Sequence, residues 1–295
     1  MIRHYSRRCG TLLALIFAIT ASAAAQTPVP STSPAPKPSS PSSLEREFFK
    51  NILRDQRAIW TSPLHLHGED AKWLAPLGLS TAALIATDRR TADALSDNRT
   101  RLNVSHYVSY LGSGYGSAGI AAAFYLVGRA RDDAHARETG LLGGEALIDS
   151  GIVAAVLKTS TQRPRPRAGK ERGDFFDGGL SFPSGHTIAA WSLATVIANE
   201  YKARSFVRFG AYGLAALVSA SRFTGRNHFL SDVLVGSAIG YGIGRYVYRV
   251  QHNPNIDIDP QGGQTSGVRS SLFPLIAPRY DRGTHSYGMT LAWTF

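Results

Sequence analysis

The 295-residue chain has a single cysteine, Cys9. It precedes the first apolar run, in a segment that reads as a removable leader, so the mature protein would have no thiol. That excludes disulfides and a cysteine nucleophile, and it is compatible with an oxidising compartment. Carboxylates are also scarce, with 21 Asp and Glu against 32 Lys and Arg and a formal net charge of +11. No carboxylate cluster has the form of a two-metal site, so the sequence points to no metal. His65 and His67 alternate in a short loop. No cysteine or third histidine stands beside them, so they read as loop residues and not as metal ligands. Strand-type alternation is missing until the C-terminus, which leaves an all-α body. Long apolar runs are missing as well. Several segments fall short of the ~20 residues that a span requires, and Glu145 and Asp149 interrupt one of them.

What is present divides the chain. Residues 1–25 carry Arg3, Arg7 and Arg8, then the short apolar core Thr11–Thr20, then two small-residue cleavage patterns, Ala21-Ser22-Ala23 and Ala23-Ala24-Ala25. This is the form of a secretory signal peptide and implies export to the periplasm. Residues 26–43, almost wholly Pro, Ser, Thr and Ala, cannot build a core and read as a disordered linker. Leu44–Trp60 places Leu44, Phe48, Phe49, Ile52, Leu53 and Ile59 among charges, the pattern of an amphipathic helix that packs on the domain or rests on a membrane. Six apolar helical segments follow, at about 71–87, 105–128, 140–157, 187–200, 206–220 and 229–249. Their Gly, Ala and Ser content permits close packing. The expectation is a helical bundle of about six core helices, with the domain spanning 44–250. Residues 251–270 read as a linker. In the last stretch Tyr287, Met289, Leu291, Trp293 and Phe295 alternate with small or polar residues. That predicts a strand, paired with Leu272–Tyr280 in a small C-terminal β-hairpin.

Three stretches carry chemistry. In Ser221-Arg222, then five residues, His228, then three residues and Asp232, the histidine and aspartate are four apart. On a helix they share a face, so the carboxylate reaches one ring nitrogen and leaves the other free to attack. Arg222 can point a permanently charged fork at a phosphate. Pro183-Ser184-Gly185-His186 opens an apolar helix, where free N–H groups and a positive dipole end favour an oxyanion and a second histidine stands beside them. Lys158 ends another helix, and Pro164 and Pro166 fix Arg165 in a stiff loop beyond it.

The set Lys158-x6-Arg165-Pro166, Pro183-Ser184-Gly185-His186 and Ser221-Arg222-x5-His228-x3-Asp232 resembles the full three-part signature of the type 2 phosphatidic acid phosphatase (PAP2) and vanadium haloperoxidase superfamily. The order is right and no signature position is substituted. The motifs span 158–232, and the resemblance extends over about 70–250, leaving the C-terminal hairpin uncovered. It implies that Lys158, Arg165, Arg222, Ser184 and the Gly185 N–H grip a phosphate. His228 would attack phosphorus to form a phosphohistidine, Asp232 would orient His228, and His186 would serve as acid and then base.

The same pocket could hold vanadate as cofactor in a haloperoxidase, with His228 as its ligand, so the signature leaves both activities open. A compact domain with a short 167–182 loop favours the phosphatase. A lipid- or surface-binding protein without catalysis would not need two histidines and an orienting aspartate. Excess Lys and Arg can signal nucleic acid. Here Lys158, Arg163, Arg165, Arg167, Lys170 and Arg172 crowd the loop between two motifs, and attraction of an anionic substrate or lipid surface explains them more economically. The partners expected are therefore a phosphorylated lipid or a small phosphate ester, and an anionic membrane surface. Topology adds a constraint. After a cleaved leader, six spanning helices would put Lys158 and Arg165 on the cytoplasmic side, opposite to the family's membrane-spanning members. This favours a periplasmic, membrane-associated domain, or a leader that stays attached.

Overall fold

The computed structural model describes residues 41–95, 98–168, 173–256, 275–281 and 286–292. The leader, most of the first linker, and Lys170 and Arg172 lie outside the described residues. Eight α-helices occur among them: α1 (Pro41–Thr61), α2 (Ala71–Asp93), α3 (Arg99–Tyr110), α4 (Gly114–Ala130), α5 (Ala134–Thr161), α6 (Gly185–Glu200), α7 (Ser205–Thr224) and α8 (Leu230–Gln251). The helices form one compact unit. The second unit contains two antiparallel strands, β1 (Leu275–Asp281) and β2 (Ser286–Ala292), in register from Leu275 opposite Ala292 to Asp281 opposite Ser286.

Helix α6 is the axis of the bundle and packs against α5, α7 and α8. Its residues are apolar or small on all sides, as a fully surrounded helix requires. Ile188, Trp191, Leu193 and Val196 are all buried. Ile188 and Val196 join Leu142, Ala146 and Val153 of α5 and Ile243 and Val247 of α8 in one apolar cluster, while Trp191 packs in another with Ala194 and Ala215. On α8 the glycines Gly236, Gly240 and Gly244 recur every fourth residue against α6. A Cβ at Gly240 would come within 2.4 Å of the Ile188 carbonyl oxygen, and one at Gly244 within 2.3 Å of the Ser192 oxygen. Only glycine lets the two backbones approach this closely.

The segment expected as one helix over 105–128 is broken in two. Leu111–Ser113 form a corner, and the Ser113 hydroxyl accepts the Gly116 N–H at 3.0 Å, capping α4. Gly112 fits the corner against Val218 and the His186 carbonyl, where a Cβ would collide. Helix α5 is longer than its apolar stretch. Asp133 caps its start by accepting the His135 and Ala136 N–H groups, and it runs to Thr161 before Gln162 turns left-handed. Helix α1 begins at Pro41, three residues inside the segment read as linker, since proline suits a first helical turn. Leu44 and Ile52 are buried while Phe49 and Leu53 point outward, 78% and 74% exposed. One described helix, Ala134–Thr161, is long and apolar enough to cross a membrane, and half of its most apolar stretch is buried within the fold.

Candidate functional site

All eight residues singled out in the sequence stand at the ends of α5, α6, α7 and α8. Lys158 is in the last turn of α5, and its Nζ donates to the Leu180 carbonyl at 2.7 Å. The chain beyond α5 folds back on that helix end. Phe176 N–H donates to Thr161 O, Gly179 N–H to Gln162 O, and Ser181 N–H to Arg163 O, at 2.8, 2.8 and 2.7 Å. Arg165, exposed on this loop, is thereby held near Lys158. Ser184 is the N-cap residue of α6 and Gly185 its first residue. A Cβ on Gly185 would lie 3.4 Å from Lys158 Cε, which shows how near the ammonium group comes to the helix start.

Arg222 ends α7, buried, with Nη1 donating to Ser109 Oγ of α3 at 3.0 Å. Its carbonyl accepts the N–H groups of Asn227 and His228 at 3.1 and 3.2 Å. The five intervening residues are thus a closed loop that sets His228 beside the arginine. His228 itself precedes α8, so the pair does not share a helical face as the spacing suggested. Asp232 sits in the first turn, where its Oδ2 accepts the Phe229 N–H at 3.0 Å and caps the helix. That same oxygen lies 3.5 Å from His228 Nδ1. The Ser181 hydroxyl, which donates to Asp232 Oδ2 at 2.5 Å, is 3.3 Å from the same ring nitrogen. Nδ1 is therefore engaged from two sides, and Nε2 is left for chemistry. The Ser184 N–H donates to the Asp232 carbonyl at 3.0 Å, tying α6 to α8.

Four residues outside the signature complete the arrangement. Arg163 is fully buried. Its Nη1 donates to Asp232 Oδ1 at 2.6 Å and to Ser231 Oγ at 2.7 Å, its Nη2 to Asp88 Oδ2 at 2.8 Å, and its Nε to the Gly173 carbonyl at 2.7 Å. The rings of Phe175 and Phe229 lie 4.9 and 4.3 Å from the guanidinium. Arg163 therefore does not attract an anionic substrate, as its place among six basic loop residues suggested. It is spent on Asp88 of α2 and Asp232. Ser181 and Ser109 were missed because nothing in a lone serine announces a partner 51 or 113 residues away. Asp88 directly follows the apolar segment 71–87 and precedes Arg89 and Arg90, so it reads as the charged end of a helix and gives no sign of its buried cation.

The electrostatics follow from crowding. Burial pushes His186 down, and the charges of Arg222, His228, Arg165 and Lys158 push it further, to about 3. Burial outweighs the attraction of Asp232 and takes His228 down to about 4. Lys158 falls to about 8 through burial and the charge of Arg165, and Arg222 to about 10 through burial and the charges of Arg165 and Arg167. Burial would raise Asp232, but the His228 hydrogen bond and the Arg163 charge outweigh it and hold the carboxyl below its usual range. Both histidines are thus neutral at pH 7, inside a ring of cations.

The helical bundle gathers a carboxylate-oriented histidine, a second histidine and three cations at converging helix ends, an arrangement that can hold an anion beside an imidazole. Residues 139–256 match the family model of the PAP2 superfamily. This segment contains every signature residue named above. The chain is 29% identical over 148 residues to a PA-phosphatase related-family protein of Dictyostelium discoideum, covering 44% of this chain and 54% of that protein. It is 31% identical over 106 residues to the lipid A 1-phosphatase of Porphyromonas gingivalis, covering 36% of this chain and 24% of that protein. It therefore spans about half the length of one relative and a quarter of the other. Among solved structures, Aquifex aeolicus LpxE aligns with a TM-score of 0.45 at 24% identity, over 56% of this chain and 93% of that one. A transmembrane PAP2 type phosphatidylglycerolphosphate phosphatase from Bacillus subtilis aligns with a TM-score of 0.46 at 23% identity, over 63% and 98%.

Proposed function

We propose that the protein is a phosphatase that hydrolyses the phosphate ester of a lipid through a phosphohistidine. The observation that carries the chemistry is the orientation of His228: Nδ1 is engaged by Asp232 and Ser181, while Lys158, Arg165, Arg222 and His186 lie close enough to act on one another's charge. Lys158, Arg165, Arg222 and the Gly185 N–H hold the non-bridging oxygens. His228 Nε2 attacks phosphorus in line, and the phosphorus–oxygen bond to the leaving alcohol breaks. Asp232 stabilises the charge on the imidazole, and His186 gives its proton to the departing oxygen. Water then attacks the phosphohistidine as His186 takes the proton back, and inorganic phosphate leaves. A phosphate dianion brought among the cations favours the protonated form of His186, which the empty site disfavours.

The lipid assignment rests on the walls. A groove of about 580 Å³ includes Gly185 and His186 and continues along α4 and α5 past Ala121, Tyr125, Gly140 and Leu147 to Phe48 of α1. Its lining is almost entirely apolar, which suits an acyl or prenyl chain and leaves a sugar phosphate unsolvated. Tyr115 and Phe206, 86% and 90% exposed, add apolar surface suited to a membrane. The test is phosphate release in chelator, well below the melting temperature, from micellar phosphatidic acid, polyprenyl pyrophosphate and a soluble aryl phosphate. The expected result is release from a lipid ester in preference to the aryl ester, abolished in His228→Ala. Vanadate-dependent bromide oxidation without ester hydrolysis would overturn the reading in favour of a haloperoxidase.

A further inference from the structure

We propose that Glu138, Glu200 and His252 form a structural site for a divalent metal of the zinc class, at the end of the bundle away from the phosphate site. The three ligand atoms lie within 4.8 Å of one another. His252 Nδ1 is 2.9 Å from Glu138 Oε1 and 3.2 Å from Glu200 Oε1. A ring nitrogen carries at most one proton, yet two carboxylate oxygens converge on this one. Tetrahedral ligands at ~2.0–2.1 Å from zinc are themselves roughly 3.3 Å apart, close to the spacings found. A second observation points the same way. Glu138 is fully buried, and its Oε2 has no hydrogen-bond partner, an arrangement that costs stability unless a cation takes it up.

The surroundings are those of ligands held in place. The Asn253 N–H donates to Glu138 Oε1 at 2.8 Å, and His135 Nε2 stands 3.0 Å from Glu200 Oε2. The Tyr248 ring stacks on the His252 imidazole at 4.5 Å, fixing its plane. His252 retains a little exposure, which gives an ion a way in. Imidazole with two carboxylates suits zinc, and its charge matches the two glutamates. Glu138 lies in α5 twenty positions before Lys158, roughly 30 Å along the helix, so this site takes no part in the chemistry at His228. It would join α5, the last residue of α6 and the C-cap of α8, three elements whose other ends carry Lys158, His186 and Asp232.

The experiment is metal content and melting temperature of the full chain, purified without a histidine tag, stripped with chelator and reloaded with Zn²⁺. The expected result is one bound zinc per chain, a melting temperature raised by zinc, and zinc binding weakened at least about tenfold in Glu138→Gln and in His252→Gln. Should a variant fail to fold, Co²⁺ in the unmodified protein decides: visible ligand-field bands of a low-coordinate site are expected, and their absence overturns the proposal. Wild-type zinc content no higher than that of a folded Glu138→Gln/His252→Gln double variant would overturn it equally, leaving an ion-pair cluster.

Discussion

Arg163→Gln is the substitution from which the structure expects most. It removes the cation between two buried carboxylates, Asp88 and Asp232, and leaves both stranded. Loss of one partner from a buried ion pair costs about 3–5 kcal/mol, far more than a surface pair, because the remaining charge is desolvated without compensation. For a domain of this size each kcal/mol moves the melting temperature by roughly 2–4 °C, so a fall of roughly 6–20 °C is expected. Asp232 loses its ion pair with Arg163 at the same time, so in the proposed mechanism His228 loses part of its aim. Lys158, Arg165 and Arg222 remain, so kcat should fall while KM for the phosphate ester changes little. Adding Asp88→Asn should recover part of the stability, since it removes one of the two stranded charges, and the double variant should be non-additive. Arg163→Lys should not rescue, because one ammonium cannot serve four acceptors laid out for a planar fork. A melting temperature within about 2 °C of the parent would refute the reasoning, as would a loss confined to KM.

The remaining expectations use the same residues and their neighbours. Lys158 titrates near 8, so its charge is present below that pH and lost above it. The kcat/KM profile should fall through about pH 8 on its alkaline side, and Lys158→Arg should remove that limb. Glu145, buried beside Asp55 and Asp149, is raised to about 9 by burial and the charge of Asp55. The folded state then keeps a proton that the unfolded state has lost above about 4.5, so stability should decline as pH rises from there to about 9. Glu145→Gln should flatten that slope in thermal melts. Gly240→Ala would set a Cβ 2.4 Å from the Ile188 carbonyl, so it should lower stability by about 1–3 kcal/mol. It should lower activity as well, by parting the helices that present His186 and Asp232.

The parts of the site legible in the sequence are those whose chemistry shows in residue type and spacing. His228, Asp232, Arg222, His186, Ser184, Gly185, Lys158 and Arg165 all stand at converging helix ends. The hidden parts are long-range. Asp88 meets Arg163 across 75 positions and Ser109 meets Arg222 across 113, and no local pattern encodes such a pairing. Helical periodicity found the bundle but ran α3 and α4 together. The corner at Gly112 is set by contact with Val218 and His186 from distant helices, not by propensity. The four-residue spacing of His228 and Asp232 suggested a shared helical face. The structure achieves the same proximity with a capping carboxylate, because an aspartate in the first turn satisfies the free N–H of Phe229.

These hidden contacts explain why the site stays positive. A carboxylate among three cations would ordinarily neutralise them, and a phosphate would then gain little. Asp232 is instead held by Arg163, whose second arm is held by Asp88, so that charge is matched from behind. Among the described residues no carboxylate is ion-paired with Lys158, Arg165 or Arg222. Burial, reinforced by their mutual repulsion, depresses Lys158 and Arg222 and keeps both histidines neutral. A neutral His228 is a competent nucleophile, whereas a protonated one is not. In the proposed mechanism the phosphate group is the counter-charge that relieves the repulsion, and its arrival would supply the field that lets His186 hold the proton it would deliver.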